Sequence, residues 1–206
     1  MEESEKLETF FFSVGDILSS LDFMRMDEQE VERFISVLAN HDEVYTTGVG
    51  KAGLVAKYFA DLLTSTGTPA HFIDPANATH GDLGRIFYAA PIVVFSASGA
   101  TEELINFLDE VKWRNHIMFV TCQSTFPLKE DYSEISIDCG PIHEGNRLGF
   151  PGGSQVAMTL FCAAAASELV ERKDVTQKEY ADLHPGGQIG ARLSRLRQTR
   201  PYSTSH

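Results

Sequence analysis

Two short segments carry the residue types that grip anions. Gly48-Val49-Gly50-Lys51-Ala52-Gly53 separates a β-prone run from a helical pattern. Glycines there let main-chain N–H groups come close to a ligand, the start of a helix adds positive potential, and Lys51 adds a full charge. The segment is not a Walker A loop, because the spacing and the Lys-Ser/Thr pair are missing. Ser96-Ala97-Ser98-Gly99-Ala100-Thr101 follows the most apolar run of the chain. Its hydroxyls and amides at a helix start form a cradle suited to a phosphate monoester, whose oxygens accept several hydrogen bonds at once. The plain alternatives are a tight turn for the first segment and an N-cap by Ser96 or Ser98 for the second. A cap needs one hydroxyl and this segment has three, so the phosphate reading is preferred. A dinucleotide is not expected, since no acidic ribose-binding residue is identified at the spacing such sites use.

Candidate proton carriers stand nearby. Glu103 lies in the first turn after the cradle, where it reaches a ligand or merely favours the helix dipole. Glu144 belongs to the loop His143-Glu144-Gly145-Asn146, His80 to Thr79-His80-Gly81-Asp82, and His184 to Leu183-His184-Pro185-Gly186-Gly187. For each of these the alternative is a solvated surface side chain. His71 and His116 fall inside strand patterns and read as packing residues, while His41 and His206 read as exposed. No two His or Cys stand at helical or hairpin metal spacing, so a structural zinc site is not expected; no cofactor is expected either. A Ser-His-Asp hydrolase is rejected, because Ala97-Ser98-Gly99 lacks the leading glycine of a nucleophile elbow.

The elements that must position these groups alternate. Leu7, Phe10, Phe11, Val14 and Leu18 recur at helical spacing, as do Val31, Phe34, Ile35 and Leu38, with Asp27 and Glu30 placed to cap the second helix. Short apolar runs at 44–47, 70–73, 91–95, 116–121 and 135–137 predict strands, with helical stretches at 54–63, 102–112, 154–170 and 188–196. Strands with little polar alternation suit a parallel sheet buried on both faces, and the alternation with helices makes an α/β doubly wound domain. Such sheets bind ligands beyond the carboxyl ends of their strands, where both Gly/Ser/Thr-rich segments sit.

The whole chain has 206 residues, which favours one domain, with ordinary globular proportions of 43% apolar and 22% charged residues. A net charge of −12 argues against nucleic acid or an anionic membrane as the main partner. The longest apolar stretch, 156–166, falls short of the ~20 residues that span a bilayer, and the acidic start does not read as a secretory leader. Three scattered cysteines without a C-x-x-C pair suit free thiols in a reducing cytoplasm.

Taken together, Val49-Gly50-Lys51-Ala52-Gly53, Ser65-Thr66-Gly67-Thr68-Pro69-Ala70, His80-Gly81-Asp82-Leu83-Gly84, Ser96-Ala97-Ser98-Gly99 and His184-Pro185-Gly186-Gly187 resemble, in order and spacing, the sugar isomerase (SIS) domain family, and within it the arabinose-5-phosphate isomerases. The resemblance implies a three-layer αβα sandwich around a five-stranded, flavodoxin-like parallel sheet. It divides the chain into N-terminal helices packing on the core (1–40), the SIS domain (41–196) and a flexible tail (197–206). It implies interconversion of D-ribulose 5-phosphate and D-arabinose 5-phosphate through a cis-enediol, without a metal, in a cytoplasmic homotetramer that feeds Kdo, lipopolysaccharide and capsule synthesis. Lys51, Glu103, Glu144 and His184 match the catalytic set: Glu144 as enediol base, His184 as ring-opening acid/base reaching in from a neighbouring subunit, and Lys51 on the charged oxygen. Ser96, Ser98 and Thr101 would hold phosphate, with Gly50, His80 and Gly99 lining the site. Other phosphosugar isomerases, of a hexulose or heptose phosphate, and a non-catalytic sugar-phosphate regulator are the competing readings. The pattern departs at Pro151-Gly152-Gly153-Ser154-Gln155, which replaces a Ser/Thr-rich helix start, and at Asn77, where relatives often carry glutamate. Many members also carry a regulatory pair of cystathionine-β-synthase-type domains after the HPGG motif, and regulation through these is not expected here.

Overall fold

The computed structural model describes residues 7–22, 24 and 26–197. The tail at 198–206, including His206, lies outside the described residues. Five strands form one sheet: β1 (Val44–Gly48), β2 (Ala70–Ile73), β3 (Pro91–Phe95), β4 (His116–Thr121) and β5 (Ile135–Asp138). All pairs are parallel and the order is β2-β1-β3-β4-β5. The most apolar run of the sequence is therefore the middle strand, and every residue of it is buried.

Alternate residues of that strand feed two cores. Val93 and Phe95 pack with α2 (Glu28–Ala39), α3 (Gly50–Ser65) and α7 (Gly153–Arg172) through Phe34, Phe59 and Phe161. Ile92 and Val94 pack with α4 (Pro75–Ala78) and α5 (Glu102–Val111) through Ala78, Phe107 and Leu108. Burial on both faces is what a parallel sheet requires, and it yields the three-layer α/β architecture. The polar exceptions within β1 are satisfied: Thr46 Oγ1 donates to the Ala56 carbonyl at 2.8 Å and Thr47 Oγ1 to that of Ile73 at 2.8 Å. These bonds tie β1 to α3 and to β2.

The remaining helices are α1 (Glu8–Leu21), α6 (Lys129–Tyr132), α8 (Gln177–Leu183) and α9 (Gly187–Arg197). Asp27 caps α2 as its spacing predicts, accepting from the Gln29 and Glu30 amides. The two N-terminal helices behave differently. Phe34, Ile35 and Leu38 of α2 are buried in the core, whereas Phe10, Phe11, Phe12, Val14 and Leu18 of α1 are exposed. The helix α7 is apolar and 20 residues long, which by length and composition would cross a bilayer. Ala157, Met158, Phe161, Cys162 and Leu169 instead bury it against the sheet.

Two sequence readings need correction. His71 is exposed on the edge strand β2 and its Nε2 lies 2.8 Å from Glu43. His116 begins β4, where its Nδ1 lies 2.9 Å from Glu134. Neither packs in the core, because each occupies a position where the sheet ends and its ring reaches a carboxylate at the surface.

The Phe34 ring, fully buried, sits edge-on to that of Phe161 with centroids 5.2 Å apart. Phe34→Ala should therefore cost about 3–5 kcal/mol, the usual loss for a buried aromatic truncation. Urea unfolding checks this. A loss below about 1 kcal/mol would mean that α2 is not part of the cooperative core.

Candidate functional site

The strand order places the topological reversal between β1 and β3, since the chain leaves β1 toward β2 on one side and returns to β3 on the other. Gly48 and Phe95 are register partners at that point, so the glycine-rich segment after β1 and the serine-bearing segment after β3 emerge side by side at the carboxyl edge. Doubly wound sheets bind ligands in this crevice. The glycines 48, 50 and 53 stand at the full G-x-G-x-x-G spacing. A Cβ on Gly53 would stand 2.6 Å from the Gly48 carbonyl oxygen, so the first turn of α3 rests directly on the end of β1. Gly50, at φ +58°, opens that helix in a conformation glycine adopts without strain. Lys51 is its second residue and is exposed.

The acidic residue a dinucleotide site requires does stand at the end of β2, contrary to the sequence reading: it is Asp74. Its carboxylate is committed elsewhere, accepting from the Ala76 amide at 3.0 Å and from Asn77 Nδ2 at 2.9 Å as the cap of α4. That occupation, rather than the absence of an acid, argues against a ribose partner. It also gives Asn77 a local role.

Across the crevice, Ser96 is 3% exposed and its Oγ accepts from the Gly99 amide at 3.0 Å. Ser96 Oγ and Thr101 Oγ1 lie 3.4 Å apart, and Ser98 is exposed. Neither serine caps α5. Thr101 holds the N-cap position and makes no side-chain capping bond. The first-turn amides of α5 are thus not spent on a hydroxyl of their own loop, so the ordinary capping role does not account for the three hydroxyls. Gly99 is buried at φ +60°, and a Cβ there would overlap the Phe126 ring at 2.4 Å. Glu103 is the second residue of α5 and is exposed.

Glu144 reaches the same edge from β5. Its Oε2 accepts from the Gly152 amide at 2.7 Å and the Ser154 amide at 3.1 Å, at the start of α7. The Ser154 carbonyl meets Cys122 Sγ at 3.9 Å, and the Cys122 amide donates to the Ala97 carbonyl inside the cradle loop at 3.2 Å. This short chain of contacts links the candidate base to the candidate phosphate loop. Asn146, unremarked in the sequence, staples the Glu144 loop: its Nδ2 donates to the Glu144 and Phe150 carbonyls, and its Oδ1 accepts from the Leu148 and Phe150 amides. Its place two residues after Glu144 and before a Gly-containing turn is the signal that an Asx-type turn gives.

His80 is exposed just beyond α4, on the carboxyl side of β2. His184 is not brought to the crevice within this chain. Its Nδ1 lies 2.8 Å from the Tyr180 carbonyl and its ring centroid 4.1 Å from that of Tyr180, in the helix α8 that His184 ends. Among the described residues no hydrogen bond joins it to Lys51, Glu103 or Glu144. No group of His, Cys, Asp and Glu able to hold a metal ion occurs among the described residues.

The SIS domain family model matches residues 37–143, more than half of the chain and the segment holding β1 to β5. This chain belongs to the SIS domain family. It is 33% identical over 180 residues to the arabinose 5-phosphate isomerase KdsD of Pseudomonas aeruginosa, covering 86% of this chain and 55% of that protein. It thus spans about half the length of the curated relatives it matches. A candidate sugar-phosphate isomerase from Listeria monocytogenes superposes with TM-score 0.84 at 19% identity, covering 90% of this chain and all of that one. An Escherichia coli protein in complex with arabinose 5-phosphate superposes with TM-score 0.80 at 26% identity, again covering 90% of this chain and all of that one.

The thiol beside the SIS crevice sits where its thiolate form is disfavoured. Burial, helped by the charges of Glu144 and Asp138, pushes Cys122 from an ordinary 9.0 up to about 12, and burial pushes Cys139 and Cys162 up as well. A thiol raised in the folded state contributes stability that is fully present below about pH 9 and lost as the pH climbs toward 12. The melting temperature should therefore fall between pH 9 and 11 while iodoacetamide leaves all three native thiols unlabelled at pH 8. Rapid native labelling of Cys122 would refute this account.

Proposed function

We propose that this chain is an aldose–ketose isomerase of a sugar phosphate, with D-ribulose 5-phosphate and D-arabinose 5-phosphate as its pair. The observation that carries the reading is the pair of uncapped helix starts, α3 with Lys51 and α5 with Ser96, Ser98 and Thr101, facing each other across the sheet reversal. Relatives named arabinose 5-phosphate isomerase, at about 30% identity, support this choice of substrate.

In this reading Ser96, Ser98, Thr101 and the amides near Gly99 hold the phosphate, with Gly50 and His80 lining the pocket. Glu144 removes a proton from C1 of the ketose. The C–H electron pair becomes the C1=C2 bond of a cis-enediolate, and the carbonyl electrons pass to O2, where Lys51 neutralises the charge. Glu144 then returns the proton to C2, while Glu103 takes the O1 hydroxyl proton and delivers it to O2, so that C1 becomes the aldehyde carbonyl, O2 becomes a hydroxyl and both carboxylates are restored. His184 would enter from a second copy of the chain to open the ring form, which makes the working unit an oligomer, a tetramer by the family resemblance. No metal is needed for these steps. A cytoplasmic supply of arabinose 5-phosphate for Kdo, lipopolysaccharide or capsule is the role that follows.

The test is turnover of ribulose 5-phosphate by the purified protein without added metal, beside fructose 6-phosphate and sedoheptulose 7-phosphate. Preferential formation of arabinose 5-phosphate supports the reading. Turnover of a hexose or heptose phosphate instead moves the chain to another isomerase. Binding without any turnover makes it a sugar-phosphate-binding regulator. Glu144→Gln should lower kcat about 100-fold or more, the usual worth of a positioned base. Ser98→Ala should raise KM about tenfold through one lost bond to a charged oxygen. A Glu144→Gln variant at full rate removes Glu144 from the mechanism.

A further inference from the structure

Glu144 is gripped from two sides by groups that no chemistry-based reading of the sequence selects. On one side lie the Gly152 and Ser154 amides, both bonded to Oε2. They are reachable because the loop and the start of α7 lie in direct main-chain contact. A Cβ on Gly153 would stand 2.0 Å from the His143 carbonyl oxygen and 2.7 Å from Ile142 Cγ2, and one on Gly152 would stand 2.8 Å from the Glu144 carbonyl oxygen. On the other side lies α1. The Ile17 side chain sits over Gly145 so closely that a Cβ there would meet Ile17 Cγ1 and Cδ1 at 2.7 and 2.8 Å, and Ile17 Cδ1 also reaches the Cβ position of Gly152 at 3.9 Å. Ile17 is half-buried and belongs to neither of the two core layers.

We propose that Gly153 and Ile17 are positioning residues for Glu144, pressing its loop onto the first turn of α7 so that one carboxylate oxygen is fixed by main-chain amides and the other is presented in a constant orientation. An oxygen that accepts two N–H bonds has both lone pairs engaged, which leaves proton transfer to Oε1. Gly152 and Gly153 therefore do more than delete hydroxyls from a Ser/Thr-rich helix start. They let the carboxylate loop sit closer to α7 than any side chain at 153 would permit. The helix α1 acquires a reason to be where it is: it closes the clamp from outside the sheet. This inference rests on Glu144 being the proton carrier proposed above.

Gly153→Ala forces the His143–Glu144 backbone back, since the 2.0 Å approach is shorter than any Cβ tolerates. Ile17→Ala opens space on the α1 side without entering the core. With the full chain and ribulose 5-phosphate, each variant should lose about ten- to a hundredfold in kcat, the range that a shift of about 1 Å in a reacting group produces. KM should stay within about twofold, because the phosphate cradle and Lys51 stand on other strand ends. Unchanged kcat in Ile17→Ala, or a change confined to KM, overturns the proposal even where Gly153→Ala fails to fold. A second readout needs no turnover. Hydrogen exchange of the Gly152 and Ser154 amides should quicken about tenfold in Glu144→Ala and in Ile17→Ala. Unchanged exchange overturns the clamp whatever the wild type catalyses. Quickened exchange in a protein inert toward every sugar phosphate sinks the isomerase reading and leaves the clamp standing.

Discussion

Main chain pressed against main chain at the carboxyl edge of the sheet is the constraint from which the rest of this structure follows. At Gly53 over Gly48, at Gly140 against the Cys122 carbonyl and at Gly153 against the His143 carbonyl, a single added carbon would lie 2.6, 2.5 and 2.0 Å from an oxygen. Those contacts bring helix starts and loops within hydrogen-bonding reach of one another where the strands end. Take them away and the same secondary structure could assemble with its amides several ångströms from any ligand. In a close-packed interior such displacements are not absorbed smoothly.

The three layers matter for the same edge. The helices α3 and α5 pack on opposite faces of the sheet, yet both begin at the seam between β1 and β3. Their amide-bearing ends converge on one spot from two sides, and a third helix start, that of α7, is occupied by the Glu144 carboxylate. A helix start stabilises negative charge. One such end holds a built-in anion and two carry no side-chain cap.

Much of this is legible in residue types. The strands announce themselves as apolar runs, and the run with the most buried character, 91–95, is the central strand. The loop proposed to hold phosphate shows as three hydroxyls where one cap would do. What escapes the sequence does so for identifiable reasons. His71 and His116 read as packing residues because strand membership suggests burial, but one lies on the edge strand and the other at a strand's first residue. Asp74 escapes notice as an acid because its role is to cap α4, a matter of which partner it finds. The grip on Glu144 is invisible because its donors are backbone amides, which every residue but proline carries. Likewise the periodic stripe of α1 predicts a helix but not which side meets the protein, and several of its large apolar residues are exposed.

The chain's net charge of −12 gives the two uncapped helix ends one more meaning. Their pull is short-ranged and felt only within a turn or so of the ligand, whereas the acidic surface repels an approaching anion out to a Debye length, about 10 Å at 0.1 M salt. For any phosphorylated compound that uses this crevice, arrival and retention are governed by opposite fields. Added electrolyte would then quicken encounter while scarcely loosening the grip, the reverse of the behaviour of a basic anion-binding protein.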